Sequence, residues 1–193
     1  MDKSRSTILN KIKRNKPECF SLPEVIRIDR PTEDLVEQFS TMVKAVGGSC
    51  LVGDSYKELN NELKGMFPDV MKIWSGDPNI MKGNMHISQG DPHEWEVLDL
   101  CIVKGQFGVA ENGAIWVQES DLPERVAPFI CQHLAIVLEK ERIVAHMHQA
   151  YLQLKFPFPG FGVFISGPSK TADIEQSLVV GAHGPKSLTV CLI

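Results

Sequence analysis

Apolar and polar positions follow two different periods along this chain, and the period switches several times. From residue 4 to 15, Ile8, Leu9 and Ile12 share one helical face among Lys and Arg, and Pro17 ends the run. Residues 18–30 show no period and include Pro23, with Pro31 just beyond. Thr32, followed by Glu33 and Asp34, reads as the N-cap of a helix over "EDLVEQFSTMVKAV" that stops at Gly47-Gly48. "SCLVG" then reads as a short buried strand, "SYKELNNELKGMF" as a second helix and "DVMKIWSG" as a strand. Helix and strand in alternation predict parallel α/β pairing.

Residues 76–94 are rich in Gly, Pro, Asn and His and read as a loop, long for a compact domain. Three apolar runs follow in "VLDLCIVKGQFGVAENGAIWVQES", predicting strands near 99–103, 107–110 and 114–118. The Asn112-Gly113 pair marks a hairpin between the last two. The final third alternates again: strand "HLAIVL", helix "KERIVAHMHQAYLQL", strand "FGVFIS", helix "TADIEQSLVV", strand "SLTVCLI". Strands that are apolar nearly throughout belong to sheets buried on both faces. The expected architecture is one α/β domain over 1–193. It has a largely parallel, Rossmann-like sheet with helices on both faces, an N-terminal helix and irregular lead-in over 1–30, and a small central hairpin.

Composition narrows the class. Of the 193 residues, 43% are hydrophobic and 23% charged, as in an ordinary globular protein. No apolar run approaches the roughly 18 residues of a membrane span, and the basic N-terminus lacks the apolar core of a secretory signal, so the expectation is a cytoplasmic protein. Lys3, Arg5, Lys11, Lys13, Arg14 and Lys16 against Asp2 make residues 1–16 +5, which within a total of −4 leaves the remainder at −9. No aromatic or glycine motif accompanies the basic run, so a solvated helix face is expected rather than nucleic-acid binding. Cys19, Cys50, Cys101, Cys131 and Cys191 form no CxxC pair, so no cofactor is expected on this chain and no metal site. His86, Asp91, His93 and Glu94 match no metal-binding spacing.

Candidate chemistry concentrates between Ile165 and Pro185, "ISGPSKTADIEQSLVVGAHGP". In an open α/β sheet ligands sit beyond the carboxyl ends of strands. The strand "FGVFIS" would deliver Ser166, Gly167, Ser169, Lys170 and Thr171 to a helix N-terminus carrying Asp173, where unpaired amides favour an anion. The other reading of the same residues is a capped helix with no ligand, because Ser, Thr and Asp are the usual caps. His183, between small residues and beside Gly184, is either a general acid–base or a loop His bonded to backbone. Glu111, before the hairpin turn, is either an exposed turn acid or a catalytic carboxylate. His146 and His148, two apart on the expected helix, should diverge.

The stretch from Ile165, with the "KSLTVCLI" that follows it, resembles the C-terminal signature of the lactate utilization protein C family, also called the LUD-domain family. "GVAENGAIWV" resembles that family's central motif, and "HLAIVLEKERIVAHMHQAYLQL" the segment between. The resemblance implies a fold like that of glucosamine-phosphate deaminase, ribose-phosphate isomerase and the CoA transferases. It implies a role in oxidising L-lactate to pyruvate together with partner subunits that carry iron–sulfur clusters. Where the family has Thr-Gly-Thr after the motif Glu, this chain has Asn112-Gly113-Ala114. Three functions stand open: a cluster-free subunit of such a complex, a stand-alone enzyme on a phosphorylated or CoA-linked small molecule, or a binding subunit with no chemistry. The expected ligand is a small anion walled by Ser166–Thr171 and His183.

Overall fold

The computed structural model describes residues 2–18, 20–21, 34–85, 91–154, 160–172 and 178–193. Helix α1 (Asp2–Arg14) exposes Ile8, Leu9 and Ile12. Helix α2 (Leu35–Ala45) starts one residue after Asp34, whose carboxylate accepts from the amides of Val36 (3.0 Å) and Glu37 (3.2 Å). The expected cap, Thr32, lies outside the described residues, and the acid two positions on holds the helix end. Strand β1 (Ser49–Val52) and helix α3 (Tyr56–Met66) follow. Ser55 Oγ accepts from Glu58 N, and Glu58 Oε2 accepts from Asp54 N, closing both ends of the first turn.

Strands β2 (Ile73–Ser75) and β3 (Leu100–Lys104) come next, then β4 (Phe107–Val109), β5 (Ala114–Gln118) and the single-turn helix α4 (Ala127–Ile130). Beyond β6 (His133–Leu138) the chain departs from the pattern reading. The segment expected as one long helix holds a short strand β7 (Ile143–Val144) and a helix α5 of only seven residues (Met147–Gln153). After β8 (Gly162–Ile165), "TADIEQSLVV" is no helix where it is described. It begins in β9 (Lys170–Ala172) and ends in β10 (Leu178–Val180), an antiparallel pair with Thr171 opposite Val179. Adjacent apolar and β-branched residues at 178–180 serve a strand better than a helix. Strand β11 (Ser187–Leu192) is the last element.

The strands form two larger sheets. One is entirely parallel, in the order β1-β11-β6-β3-β2. The other is β7-β4-β5-β8, in which the expected hairpin β4–β5 is the middle of four strands. Strict alternation sorts the parallel sheet's side chains. Leu134, Ile136 and Leu138 of β6, with Leu188, Val190 and Leu192 of β11, face a core shared with Phe39 and Val43 of α2 and Ile115 and Ile165 of the second sheet. Leu100, Ile102, Ala135, Val137 and Cys191 face Leu59 and Leu63 of α3. The far side of the second sheet packs Phe107, Trp116 and Phe164 against Ala150 of α5. The result is a layered α/β molecule with a mostly parallel central sheet. Helices lie on both faces as expected, α2 on one and α3 on the other, and a second sheet shares the face of α2.

Candidate functional site

Two loops meet at the amino ends of β6 and β11. The loop after β8 runs through Ser166–Ser169, and the loop before β11 through Gly181–Pro185. They are stitched together by Ser169 N donating to Pro185 O (3.0 Å) and Gly181 N donating to Ser169 O (2.9 Å). Between them and α4 lies a cavity of about 250 Å³. Leu134, Leu188, Ile165 and Pro128 make its apolar wall, while Ser169 and His183 supply polar atoms. An apolar hollow with few placed polar groups is the usual form of a small-molecule site.

Two glycines make this meeting possible. Gly167 holds φ +77°, and a Cβ there would lie 2.5 Å from Val46 O in the α2–β1 turn. Gly184 lets Ser169 approach so closely that a Cβ would lie 2.9 Å from the serine Cβ. Any side chain at either position pushes the loops apart.

The structure gathers Ser166, Gly167, Ser169, His183 and Gly184 around the cavity and leaves the other candidates outside it. Lys170 turns away and its ammonium donates to Val46 O. Thr171 is exposed on β9. Asp173 lies outside the described residues, and so do Ile174 and Glu175 of the same motif. Among the described residues no helix N-terminus faces the cavity from the Ser166–Thr171 side, because that segment leads into a strand. The position along the sheet also differs from expectation. β8 belongs to the second sheet, so the cavity sits at the carboxyl end of β8 but at the amino ends of the parallel strands.

Glu111 occupies a neighbouring position. It is exposed in the β4–β5 turn, its amide donates to Ala145 O (3.0 Å), and its Oε2 accepts from Met147 N (3.0 Å) at the start of α5. The turn is tied to the cavity loop by Ser166 Oγ, which donates to Asn112 O (2.9 Å). Ser166 is therefore a clasp between the two motifs, with its proton already engaged. The Asn112 side chain accepts from Ala114 N (3.1 Å), closing the turn. His146 and His148, expected to diverge, bring their ring centroids to 5.7 Å on either side of Met147. The long-helix reading concealed this, because the helix breaks before Met147.

Other titratable groups are committed to structure. Asp91 and His93 pair at 2.8 Å on the surface; the His93 amide first and its ring second hold Asp91 below its ordinary value, and the Asp91 carboxylate raises His93, while His86 lies outside the described residues. Cys101, Cys131 and Cys191 are buried; burial pushes the Cys191 thiol up to about 12. Among the described residues, no three His, Cys, Asp or Glu stand close enough to hold a metal ion, and no helix is long and apolar enough to cross a membrane.

Residues 93–193 match the sequence model of the LUD domain, just over half of the chain and the whole of the cavity. The chain belongs to the LUD-domain family. Similar proteins include Lactate utilization protein C of Shouchella clausii, 31% identical over 121 residues, which are 60% of this chain and 52% of that one. The Lactate utilization protein C of Oceanobacillus iheyensis is 30% identical over 129 residues, covering 64% and 52%. This LUD chain spans about half the length of the curated relatives it matches. Its fold is shared with a DUF162 family protein from Deinococcus radiodurans, a crystal structure superposing with a TM-score of 0.59. That match covers 84% of this chain and 99% of the other, at 15% identity.

Proposed function

We propose that this LUD chain is a subunit of a cytoplasmic iron–sulfur complex that oxidises L-lactate to pyruvate, and that it carries no cluster of its own. One observation carries the reading: five motif residues from two separate loops converge on a single small cavity inside the segment that defines the family. Relatives with that domain bear the name Lactate utilization protein C, which supports the lactate assignment. In this reading a 2-hydroxy acid enters with its methyl against Leu134 and Leu188 and its polar end toward Ser169 and His183. His183 accepts the hydroxyl proton. The Cα hydrogen would leave with the two electrons, as a hydride equivalent, to a two-electron acceptor on the partner subunits, whose clusters would pass the electrons on. The apolar wall excludes water, which strengthens every polar contact inside.

A second reading is a binding subunit with no chemistry of its own. The commitment of Lys170 to Val46 O and of Glu111 to Met147 N favours it, since neither group is left to face a substrate. The two readings separate in one experiment. The chain is affinity-purified anaerobically with its complex and assayed for L-lactate-dependent dye reduction, as wild type and as His183→Ala. Loss of activity with the complex intact supports the catalytic role. Full activity in the variant supports the binding role, and a chain that purifies alone and inert removes the lactate assignment.

A further inference from the structure

A second concavity lies on the opposite side of the parallel sheet, between α3 and the loop that follows β2, with a volume of about 440 Å³. On α3, Lys57, Asn60, Asn61 and Lys64 stand at i, i+3, i+4 and i+7, a single stripe facing the loop. Lys82 closes the groove from the loop side. The lining contains three lysines and three asparagines and no carboxylate. That is a sharp local departure in a chain whose residues beyond 16 carry a net −9.

The lysines are not spent on structure. Among the described residues none of the three forms an ion pair. Where a solvated helix would set Glu three or four positions from each lysine, α3 has asparagine. Lys57 also sits in the first turn, where the helix dipole disfavours a cation. Three nearby acids are engaged elsewhere. Glu58 accepts from Asp54 N; Asp54 pairs with Lys140; Asp77, buried beneath the loop, accepts from Asn79 and pairs with Lys104 at 3.4 Å.

The groove is also held in shape. Asn60 donates to Asn79 O (2.7 Å) and accepts from Met81 N (2.6 Å), so one side chain on the helix fastens the loop at two points. Ser75 Oγ donates toward Asp77 O and Ile80 O, both at 3.0 Å. Ammonium groups gathered without ion-pair partners over a fixed floor suit an anion carrying more than one charge. We propose that this groove binds the phosphate groups of a small phosphorylated molecule, at a site separate from the Ser166–Pro185 cavity and independent of the lactate reading. Lys57, Lys64 and Lys82 neutralise the phosphates, and the free amide of Asn61 adds hydrogen bonds.

The test is calorimetric titration of the full chain with inorganic tripolyphosphate and, in parallel, with adenosine triphosphate, at physiological salt. Tripolyphosphate should bind, and each of Lys57→Gln, Lys64→Gln and Lys82→Gln should weaken it roughly three- to tenfold, with the triple variant losing it. Lys13→Gln on α1 should leave it unchanged. These are exposed positions and Gln is a good helix former, so unchanged melting temperatures are expected and separate lost binding from lost folding. Equal affinity for both probes means the phosphates alone are recognised; tighter binding of the nucleotide means that the organic part also docks. Wild type that fails to bind tripolyphosphate, or a triple variant that binds it as well as wild type, overturns the proposal.

Discussion

The two sheets of this molecule are stabilised by different means. In the parallel sheet, β3, β6 and β11 are apolar on both faces, and their aliphatic side chains are at most a few per cent exposed except at strand ends. In the mixed sheet three aromatics do much of the packing: Trp116 lies 4.7 Å from Phe164, and Phe107 6.0 Å from Phe164, centroid to centroid. The first sheet leaves no room for chemistry within it. The second ends in turns and edges, and both family motifs hang from it, Glu111 from β4 and Ser166 from β8. The aliphatic packing and the motif-bearing turns thus belong to separate layers, with the cavity where they touch.

The largest expected effect comes from hollowing the shared core. Ile136→Ala in β6, a side chain with no exposure, should cost about 2–5 kcal/mol in denaturant unfolding. A loss well under 1 kcal/mol would mean that the parallel sheet is not the stability-determining layer. Next is Gly167→Ala, which forces a Cβ onto Val46 O at a positive φ and should cost roughly 1–3 kcal/mol while opening the cavity loops. A neutral result would show that the loop relaxes freely.

A matched pair of hydroxyl deletions sharpens the contrast. Ser166→Ala leaves Asn112 O without its donor and should destabilise by about 1 kcal/mol. Thr189→Val, in β11, removes a fully buried hydroxyl that has no hydrogen-bond partner among the described residues, and should be neutral or stabilising. Opposite signs in thermal unfolding support the division between the layers; equal losses would erase it. The smallest effect is a titration. His133, at the start of β6, is held below its ordinary 6.5 by burial first and by Lys186 second. Its neutral form is favoured in the folded state, so its contribution is complete above 6.5 and falls away as pH drops through its lowered folded value. His133→Gln should flatten that part of the stability–pH curve. Asp99, lowered from 3.8 chiefly by the Lys72 amide, should still cause a separate loss in stronger acid.

The parallel sheet was legible because its signal is local. Continuous apolar runs bounded by turn residues, as at Leu100–Lys104 or His133–Leu138, have few alternatives. The hairpin at Asn112-Gly113 was legible for the same reason, through turn chemistry. Two helices were misread where periodicity is ambiguous. "KERIVAHMHQAYLQL" matches a helical pattern, yet Ile143 and Val144 find β4 as an edge partner, a contact over 30 residues away that no window reveals. "TADIEQSLVV" fails likewise, through pairing of β9 with β10. For the site, the motif residues of the two loops were identifiable as types, and five of them do converge. What could not be read was direction: that Lys170 would turn to Val46, that Ser166 would serve Asn112, or that Pro128 and Leu134 would form the opposite wall.

The placement of β11 has a consequence for the order of assembly. β1 has no other partner in its sheet, and its register with β11 joins Ser49 to Thr189, about 140 residues apart. Every ladder bond that holds β1 is therefore among the least local contacts in the molecule, and such contacts slow folding because a long loop must close before they form. During synthesis α2, β1 and α3 emerge early and wait. Phe39 and Val43 lack Leu188, Val190 and Leu192, and Leu59 and Leu63 lack Cys191, until residues 187–192 slot between β1 and β6.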